Sequence, residues 1–235
     1  MDTLIHLKYL KRPIFAGVVA LILFASSIVI WRLQQSRWVD RSIITGAPCA
    51  PPCWQGITPG FTQMDKALEI LSNSPYIETG SIKRTGTDFS GGCTWHWRSP
   101  GRRMLPALSW QNGIVDTISL GLTFDLTIQE VIDKFGVPEA LSMEGGGQPE
   151  YWYWIIDLHY PSQGIDFRAY TSVSSNNIEP TTEVGVVLLF PPETMEERIK
   201  EIEEALNSPL PADYFSDWKG YGDAAELYGG GRQWP

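Results

Sequence analysis

Residues Ala107–Leu122, ALSWQNGIVDTISLGL, place two runs of strand-favouring residues on either side of Asn112-Gly113. Both turn residues tolerate a positive φ, as a tight two-residue hairpin turn requires. The flanking runs are rich in Ile, Val, Leu and Trp, which pack well on a pleated surface. The stretch therefore predicts an antiparallel hairpin.

Two helical patterns lie on either side of this hairpin. Thr62-x-x-Asp65 has the spacing of a capping box, and Thr127-x-x-Glu130 is a full capping box. Behind each, apolar residues recur at i, i+3, i+4 and i+7, as on one face of a helix. They are Met64, Ala67, Leu68 and Leu71 in the first pattern and Ile128, Val131, Ile132 and Phe135 in the second. Gly136, followed by Pro138, is predicted to close the second helix in a left-handed conformation.

Strand patterns follow the second helix as they follow the first. Residues 151–160, YWYWIIDLHY, and 164–170, GIDFRAY, are joined by a turn-rich segment, and residues 183–190, EVGVVLLF, add another run. A helix followed by an antiparallel meander thus occurs twice. We therefore predict an α+β fold made of two helix-plus-antiparallel-sheet units.

A third helix is predicted near the carboxyl end. Thr194-x-x-Glu197 forms another capping box, and an apolar face follows it. The members of that face are Met195, Ile199, Ile202, Ala205 and Leu206. The final residues, YGGGRQWP, are rich in glycine, and we expect a mobile tail there.

Residues 14–31, IFAGVVALILFASSIVIW, run for 18 residues without a charge. With a rise of about 1.5 Å per residue, a helix of this length spans most of a hydrocarbon core of about 30 Å, so we predict an N-terminal transmembrane helix. A signal peptide cleaved near residues 25–27 is the alternative, because Lys8, Lys11 and Arg12 precede the run. Basic residues flank the run equally on both sides, so charge alone leaves its orientation open.

A collar rich in cysteine and proline follows at residues 49–62, CAPPCWQGITPGFT. Such a collar suits an oxidising compartment, and long domains are translocated largely regardless of charge. We therefore expect a single-pass protein of the cell membrane whose carboxyl-terminal domain is extracytoplasmic. The expected organisation is a cytoplasmic segment 1–12, a transmembrane anchor 13–32, a stalk 33–48, two units at 49–121 and 122–192, and a capping helix with the tail at 193–235.

The charge of the chain is divided unevenly. Residues 1–41 hold six Lys or Arg and two Asp or Glu, a net of +4, so the remainder must carry −13 to give the stated −9. A strongly acidic domain repels phosphate backbones, so binding of nucleic acid is not expected.

The three cysteines allow more than one pairing. Cys49 and Cys53 would close a very small loop, whereas Cys53 and Cys93 would tie the collar to the first aromatic strand. Because a longer loop removes more freedom from the unfolded chain, we expect Cys93 to pair with the collar, with Cys53 favoured over Cys49. A redox-active pair is disfavoured because the spacing is not Cys-x-x-Cys. A metal site built on these cysteines and His96 is also disfavoured, because histidines at ligand spacing are lacking.

Motifs of hydrolases and phosphate-binding loops are missing from the sequence, so we predict no enzyme, cofactor or metal. The chain is instead rich in aromatic residues, with ten Trp, nine Tyr and nine Phe. Exposed aromatic side chains on a sheet suit protein partners or sugar rings. The candidate binding residues are Trp95, Trp97, Trp110, Tyr151, Trp152, Tyr153 and Trp154. We expect a protein-interaction module; a glycan-binding surface is the alternative, and an enzyme comes third.

The second unit resembles the small bacterial lipoprotein domain of the SmpA/OmlA/BamE type. The resemblance is carried by LTIQEVIDKFGVPEAL at residues 126–141 and by the aromatic strand after it, with matches at Thr127, Glu130, Val131, Phe135, Gly136 and Pro138. The tandem arrangement is similar to that of the β-lactamase-inhibitor proteins, whose two repeats form a concave sheet that grips a partner. The collar also resembles that of membrane-anchored bacterial proteins. These resemblances imply a fold and a location, with function by analogy only.

Overall fold

The computed structural model describes residues 21–27, 39–99, 104–146, 153–172 and 175–228. The chain divides into two compact units, Met1–Val39 and Asp40–Pro235. In the first unit residues 21–27 are helical, and the rest of the predicted anchor at 14–31 lies outside the described residues. Within the described ranges, none of the helices has both the length and the apolar character needed to cross a membrane.

The second unit is built on one large antiparallel sheet. Its described strands are β1 (Lys83–Gly86), β2 (Ser90–Thr94), β3 (Ala107–Gln111), β4 (Ile114–Gly121), β5 (Ala140–Gly146), β6 (Tyr153–Tyr160), β7 (Ile165–Tyr170), β8 (Asn177–Ile178), β9 (Glu183–Leu189), β10 (Phe215–Ser216) and β11 (Gly222–Asp223). Nine of them form a single sheet in the order β1-β2-β3-β4-β9-β7-β6-β5-β10, and β11 pairs with β8 separately.

The predicted fold class of two helix-plus-sheet units is wrong. Strands from the two predicted units, residues 49–121 and 122–192, join side by side where β4 pairs with β9. Ile118 lies opposite Leu189, and Leu120 lies opposite Val187. The result is mainly one nine-stranded antiparallel sheet with few helices. Both strands at this seam are largely apolar, and their pairing removes two open sheet edges that would otherwise be exposed.

The described helices of the second unit are α1 (Ser42–Thr45), α2 (Met64–Asn73), α3 (Ile128–Phe135), α4 (Met195–Leu206) and α5 (Ala224–Tyr228), with a 3₁₀ turn at Pro161–Gln163. The capping boxes predicted at Thr127 and Thr194 are confirmed. The one predicted at Thr62 is wrong, because α2 begins after Gln63 without a side-chain cap. The Thr62 hydroxyl instead accepts a hydrogen bond from the Thr58 amide at 2.8 Å.

Two turn predictions concern positive φ angles. The Asn112-Gly113 hairpin is confirmed, since φ is 54° at Asn112 and 73° at Gly113. Gly136 follows α3 with φ 87° and ψ −172°. Its φ is positive, as predicted, but its ψ places it outside the left-handed helical region.

One face of the sheet is the hydrophobic core. Strand alternation puts Leu108, Ile118, Leu158 and other apolar side chains on this face, and all are buried. Phe135 of α3 packs here, with its ring 4.9 Å from that of Phe167. Because these side chains face the core, the alternate side chains of the same strands point to the other side of the sheet.

The predicted apolar face of α4 is only partly correct. Met195, Ile199 and Ile202 are half-buried, but Ala205 is exposed and Leu206 is 58% exposed. The one buried residue of α4 is Arg198. This helix is therefore held largely by a charged contact.

The predicted Cys53–Cys93 disulfide is wrong. The bond joins Cys49 to Cys53, whose Cα atoms are 5.7 Å apart, and Cys93 is a buried free thiol. Loop-closure entropy concerns the unfolded chain, whereas pairing also needs Cα atoms within about 7 Å in the folded one. Cys93 lies opposite Leu108 on the core face of β2, away from such a partner.

Candidate interaction surface

The predicted aromatic surface is largely absent, because three of its members are buried. Trp95, Trp110 and Trp154 lie in the core, and Trp95 stacks on Trp54 with ring centroids 5.7 Å apart. Trp97 is half-buried and packs edge-on against Trp54. Strand alternation turns these indoles to the core face, where they fill the space beside the apolar residues.

The remaining predicted aromatic residues divide into two groups. Tyr151 and Trp152 lie outside the described residues, while Tyr153 is half-buried on the face opposite the core. The ring of Tyr153 lies 6.1 Å from that of Tyr170. Among the described members of the predicted set, Tyr153 lies on the side of the sheet that faces away from the core.

That side, which we call the open face, runs across five adjacent strands. Cross-strand pairs define it: Ser109 faces Thr117, Ser119 faces Leu188, and Ile155 faces Tyr170. All of these side chains are half-buried, whereas His159 and Asp166 on the same side of the sheet are buried where α4 and β10 cover it. The open face is therefore the part of this side that α4 and β10 leave accessible. The members of the open face are Ala107, Ser109, Thr117, Ser119, Tyr153, Ile155, Arg168, Tyr170 and Leu188.

Arg168 is the most sharply positioned polar side chain on the open face. Its Nε and Nη2 atoms each donate to a different oxygen of Asp157 at 2.7 Å. The hydrogen bonds to Asp157 raise the pKa of Arg168 further, against the opposing effect of burial. The Arg168 side chain stays 42% exposed, and that of Asp157 only 12%. The protein thus presents a pre-oriented guanidinium near Tyr170, whose ring in turn packs against that of Tyr153. Arg and Tyr are residue types that dominate binding energy at protein interfaces.

An acidic rim adjoins this face. Five glutamates of α4, Glu196, Glu197, Glu201, Glu203 and Glu204, against Arg198 and Lys200 give the helix a net charge of −3. The Arg198 Nη2 donates to Asp166 Oδ2 at 2.8 Å, and its guanidinium lies 4.0 Å from the Phe190 ring centroid. Because Asp166 is opposite Leu188 in the sheet, this contact places α4 next to the open face.

Ser142, His159 and Asp166 lie beneath the acidic rim on three strands. Ser142 Oγ is 2.9 Å from His159 Nε2, and His159 Nδ1 is 3.1 Å from Asp166 Oδ2. The Nδ1–H is not well aimed at that oxygen, so the contact is an ion-pair distance rather than a good hydrogen bond. Burial raises the pKa of Asp166, but His159 and Arg198 outweigh it and hold that pKa below its ordinary value.

The Ser–His–Asp order of these contacts is that of a catalytic triad, but the surroundings of the three residues indicate a structural role. Ser142 is 2% exposed, and β10 pairs with β5 directly at this residue. The ring of Phe215 packs against His159 at 5.2 Å. Since the nucleophile and the base of a triad must both reach a substrate, the network is better explained as the support that attaches β10 and α4 to the sheet.

The signal for this network in the sequence is the spacing of polar residues in β6 and β7. The four residues 161–164 join β6 to β7, and counting back from that turn pairs His159 with Asp166 and Asp157 with Arg168. Polar residues occupy alternate positions of both strands and face each other. This pattern indicates that this side of the sheet is not a purely apolar core.

Comparisons of the chain with known protein families, curated sequences and solved structures found no significant match. The resemblance to the SmpA/OmlA/BamE-type domain therefore remains a prediction.

Proposed function

We propose that this protein is an extracytoplasmic interaction module that binds a folded protein partner on the open face of its sheet. The observation that carries the proposal is the open face, with Arg168 fixed by Asp157 and Tyr170 two residues further along the same strand. Arg and Tyr anchors near the middle of a surface, surrounded by smaller residues, are the usual makeup of a protein interface.

The proposed partner carries a basic surface. Charge complementarity supports this choice, because the α4 rim has a net charge of −3 and residues 42–235 carry −13 in total. An acidic surface attracts a basic protein over a range of about 8 to 10 Å at physiological salt. Binding is therefore expected to weaken as salt concentration rises.

The extracytoplasmic location is part of the same proposal. It is supported by the disulfide between Cys49 and Cys53, a bond that persists mainly in oxidising compartments. The glycan alternative has lost much of its basis, since Trp95, Trp110 and Trp154 are buried.

The test compares two matched arginine substitutions in the full chain. Ser119→Arg puts a large cation at the middle of the open face, whereas Ser72→Arg puts one on an exposed position of α2. Each is first checked by circular dichroism, and each is expected to change the free energy of unfolding by less than about 1 kcal/mol. Wild type and both variants are then used to capture partners from extracts of the source cell, and the captured protein is identified and titrated.

We expect one basic protein whose Kd rises at least about tenfold with Ser119→Arg, or roughly 1.4 kcal/mol, and stays unchanged with Ser72→Arg. Its Kd should also rise with added salt. Equal binding by the two variants would remove the open face from the proposal. Retention on cell-wall polysaccharide that free sugar reverses, with no protein captured, would favour the glycan function instead.

A further inference from the structure

Arg198 is shared by three carboxylates, of which Asp166 is buried, Glu193 is half-buried and Glu201 is 55% exposed. Its Nη2 binds Asp166 at 2.8 Å, and its Nη1 lies 2.5 Å from Glu201 and 3.7 Å from Glu193. One guanidinium is thus surrounded by Asp166, Glu193 and Glu201, which leaves two negative charges in excess when all three are ionised and His159 is neutral. Such an excess is costly at the inner end of the cluster, where the side chains of Arg198 and Asp166 are 9% and 8% exposed.

Glu193 has the weakest hold on Arg198. Its Oε1 atom is buried and has no hydrogen-bond partner, and its side chain is only 19% exposed. Its amide donates to the Pro161 carbonyl at 3.0 Å, which fixes the residue at the start of α4 beside the 3₁₀ turn. A proton on this carboxyl would remove charge from the cluster and supply a donor to a crowded site.

We propose that Glu193 is the proton-operated latch of α4: when it is protonated the helix is held firmly against the sheet, and when it is ionised the helix loosens. This inference is independent of the proposed partner binding. It concerns the attachment of the acidic rim, and it holds or fails in the isolated protein.

The charged groups that face Glu193 favour its protonated form. Burial and the neighbouring carboxylate of Glu201 raise the pKa of Glu193 to about 7, against the opposing effect of Arg198. Asp166 on β7 and Glu197 on α4 add to the rise. Arg198 lowers the pKa of Glu193 but does not outweigh burial and the neighbouring carboxylates.

The raised pKa of Glu193 determines how the stability of the α4 attachment changes with pH. A carboxyl whose folded pKa is raised contributes stability that is present below its unfolded pKa and is lost as pH rises through the folded value. For Glu193 that loss falls between pH 4.5 and about 7. Asp166, whose pKa is lowered, stays ionised throughout the range used below. His159 also faces Asp166, with its Nδ1 atom 3.1 Å from Asp166 Oδ2.

Hydrogen exchange of α4 tests the latch directly. Full-length wild type, Glu193→Gln and the control Glu204→Gln, an exposed position of the same helix, are compared at pH 5.5 to 8.5 with intrinsic rates corrected for pH. In wild type and in the control, the protection of residues 198–206 against hydrogen exchange should fall about tenfold from the lowest to the highest pH. This change is smaller than the full shift of the Glu193 pKa would give, because Glu193 is partly solvated. In Glu193→Gln it should stay at the acidic level.

The proposal would be overturned if the protection of residues 198–206 also fell in Glu193→Gln, or if it did not fall in wild type. Should Glu193→Gln not fold, the carboxyl of Glu193 is titrated by carbon-detected NMR in the wild-type chain. A midpoint near 7 supports the proposal, and a midpoint near the ordinary glutamate value contradicts it.

Discussion

At the scale of single residues, the cysteines consist of one bonded pair and one isolated thiol. Cys93 is buried on the core face of β2, and burial raises its pKa to about 11, although Arg84 lowers it somewhat. Because the thiolate is the reactive form, a buried thiol with so high a pKa is inert.

We therefore expect the native protein to resist iodoacetamide at pH 8 and the denatured protein to take up one label, at Cys93. Mass mapping without reductant provides the measurement, and Cys49 and Cys53 should be recovered as one linked peptide. Labelling of Cys93 before denaturation, or of either collar cysteine, would contradict this account of the thiols.

At the scale of elements, Arg198 is what attaches α4 to the sheet. Replacing it with Met leaves the buried Asp166 carboxylate beside His159 without its guanidinium partner. Breaking a buried pair from one side costs about 3 to 5 kcal/mol. Urea unfolding of Arg198→Met should show a loss of that order.

Lys200→Met is the matched control on the same helix, because the Lys200 side chain is 77% exposed and its contact with Glu204 is 3.8 Å long. An exposed pair of this kind contributes less than about 1 kcal/mol. Equal losses in the two variants would mean that α4 is held by its half-buried apolar residues instead of by Arg198.

Element boundaries could be predicted from the sequence wherever local chemistry sets them. The turn at Asn112-Gly113 and the capping boxes at Thr127 and Thr194 depend on neighbouring residues only. Strand β5, ALSMEGG, was not predicted, because its glycines suggest a loop and its strand conformation depends on pairing with β6. Strand β1, KRTG, was also missed, since all four residues are exposed and give no apolar pattern.

The candidate site was less predictable than the elements. The alternation of YWYW correctly separates Tyr153 from Trp154, but it does not say which side of the strand is covered. That is decided by distant helices and by the collar residue Trp54, which stacks on Trp95. For the same reason the burial of Arg198 could not be predicted from the sequence of α4, because its partner Asp166 lies on β7.

At the scale of the whole molecule, the open face depends on the pairing of β4 with β9. The period of a strand predicts which side chains share a face, but not which strand lies beside it. Two separate sheets would each have a small face, whereas the β4–β9 seam places Ser119 and Leu188 opposite each other in one surface. The open face therefore exists only if these strands form one continuous sheet.

Cross-linking across the seam tests that claim most directly. Residues directly opposite each other in antiparallel strands have Cα atoms about 4.5 to 5.5 Å apart, a distance that a disulfide can span. In a Cys93→Ala background, Ser119→Cys with Leu188→Cys should form an intramolecular disulfide on mild oxidation. Ser119→Cys with Val187→Cys, whose side chain points to the core face, should stay reduced. Peptide mapping that finds the first pair unlinked while the second pair is linked, or neither linked, would contradict a single sheet with one open face.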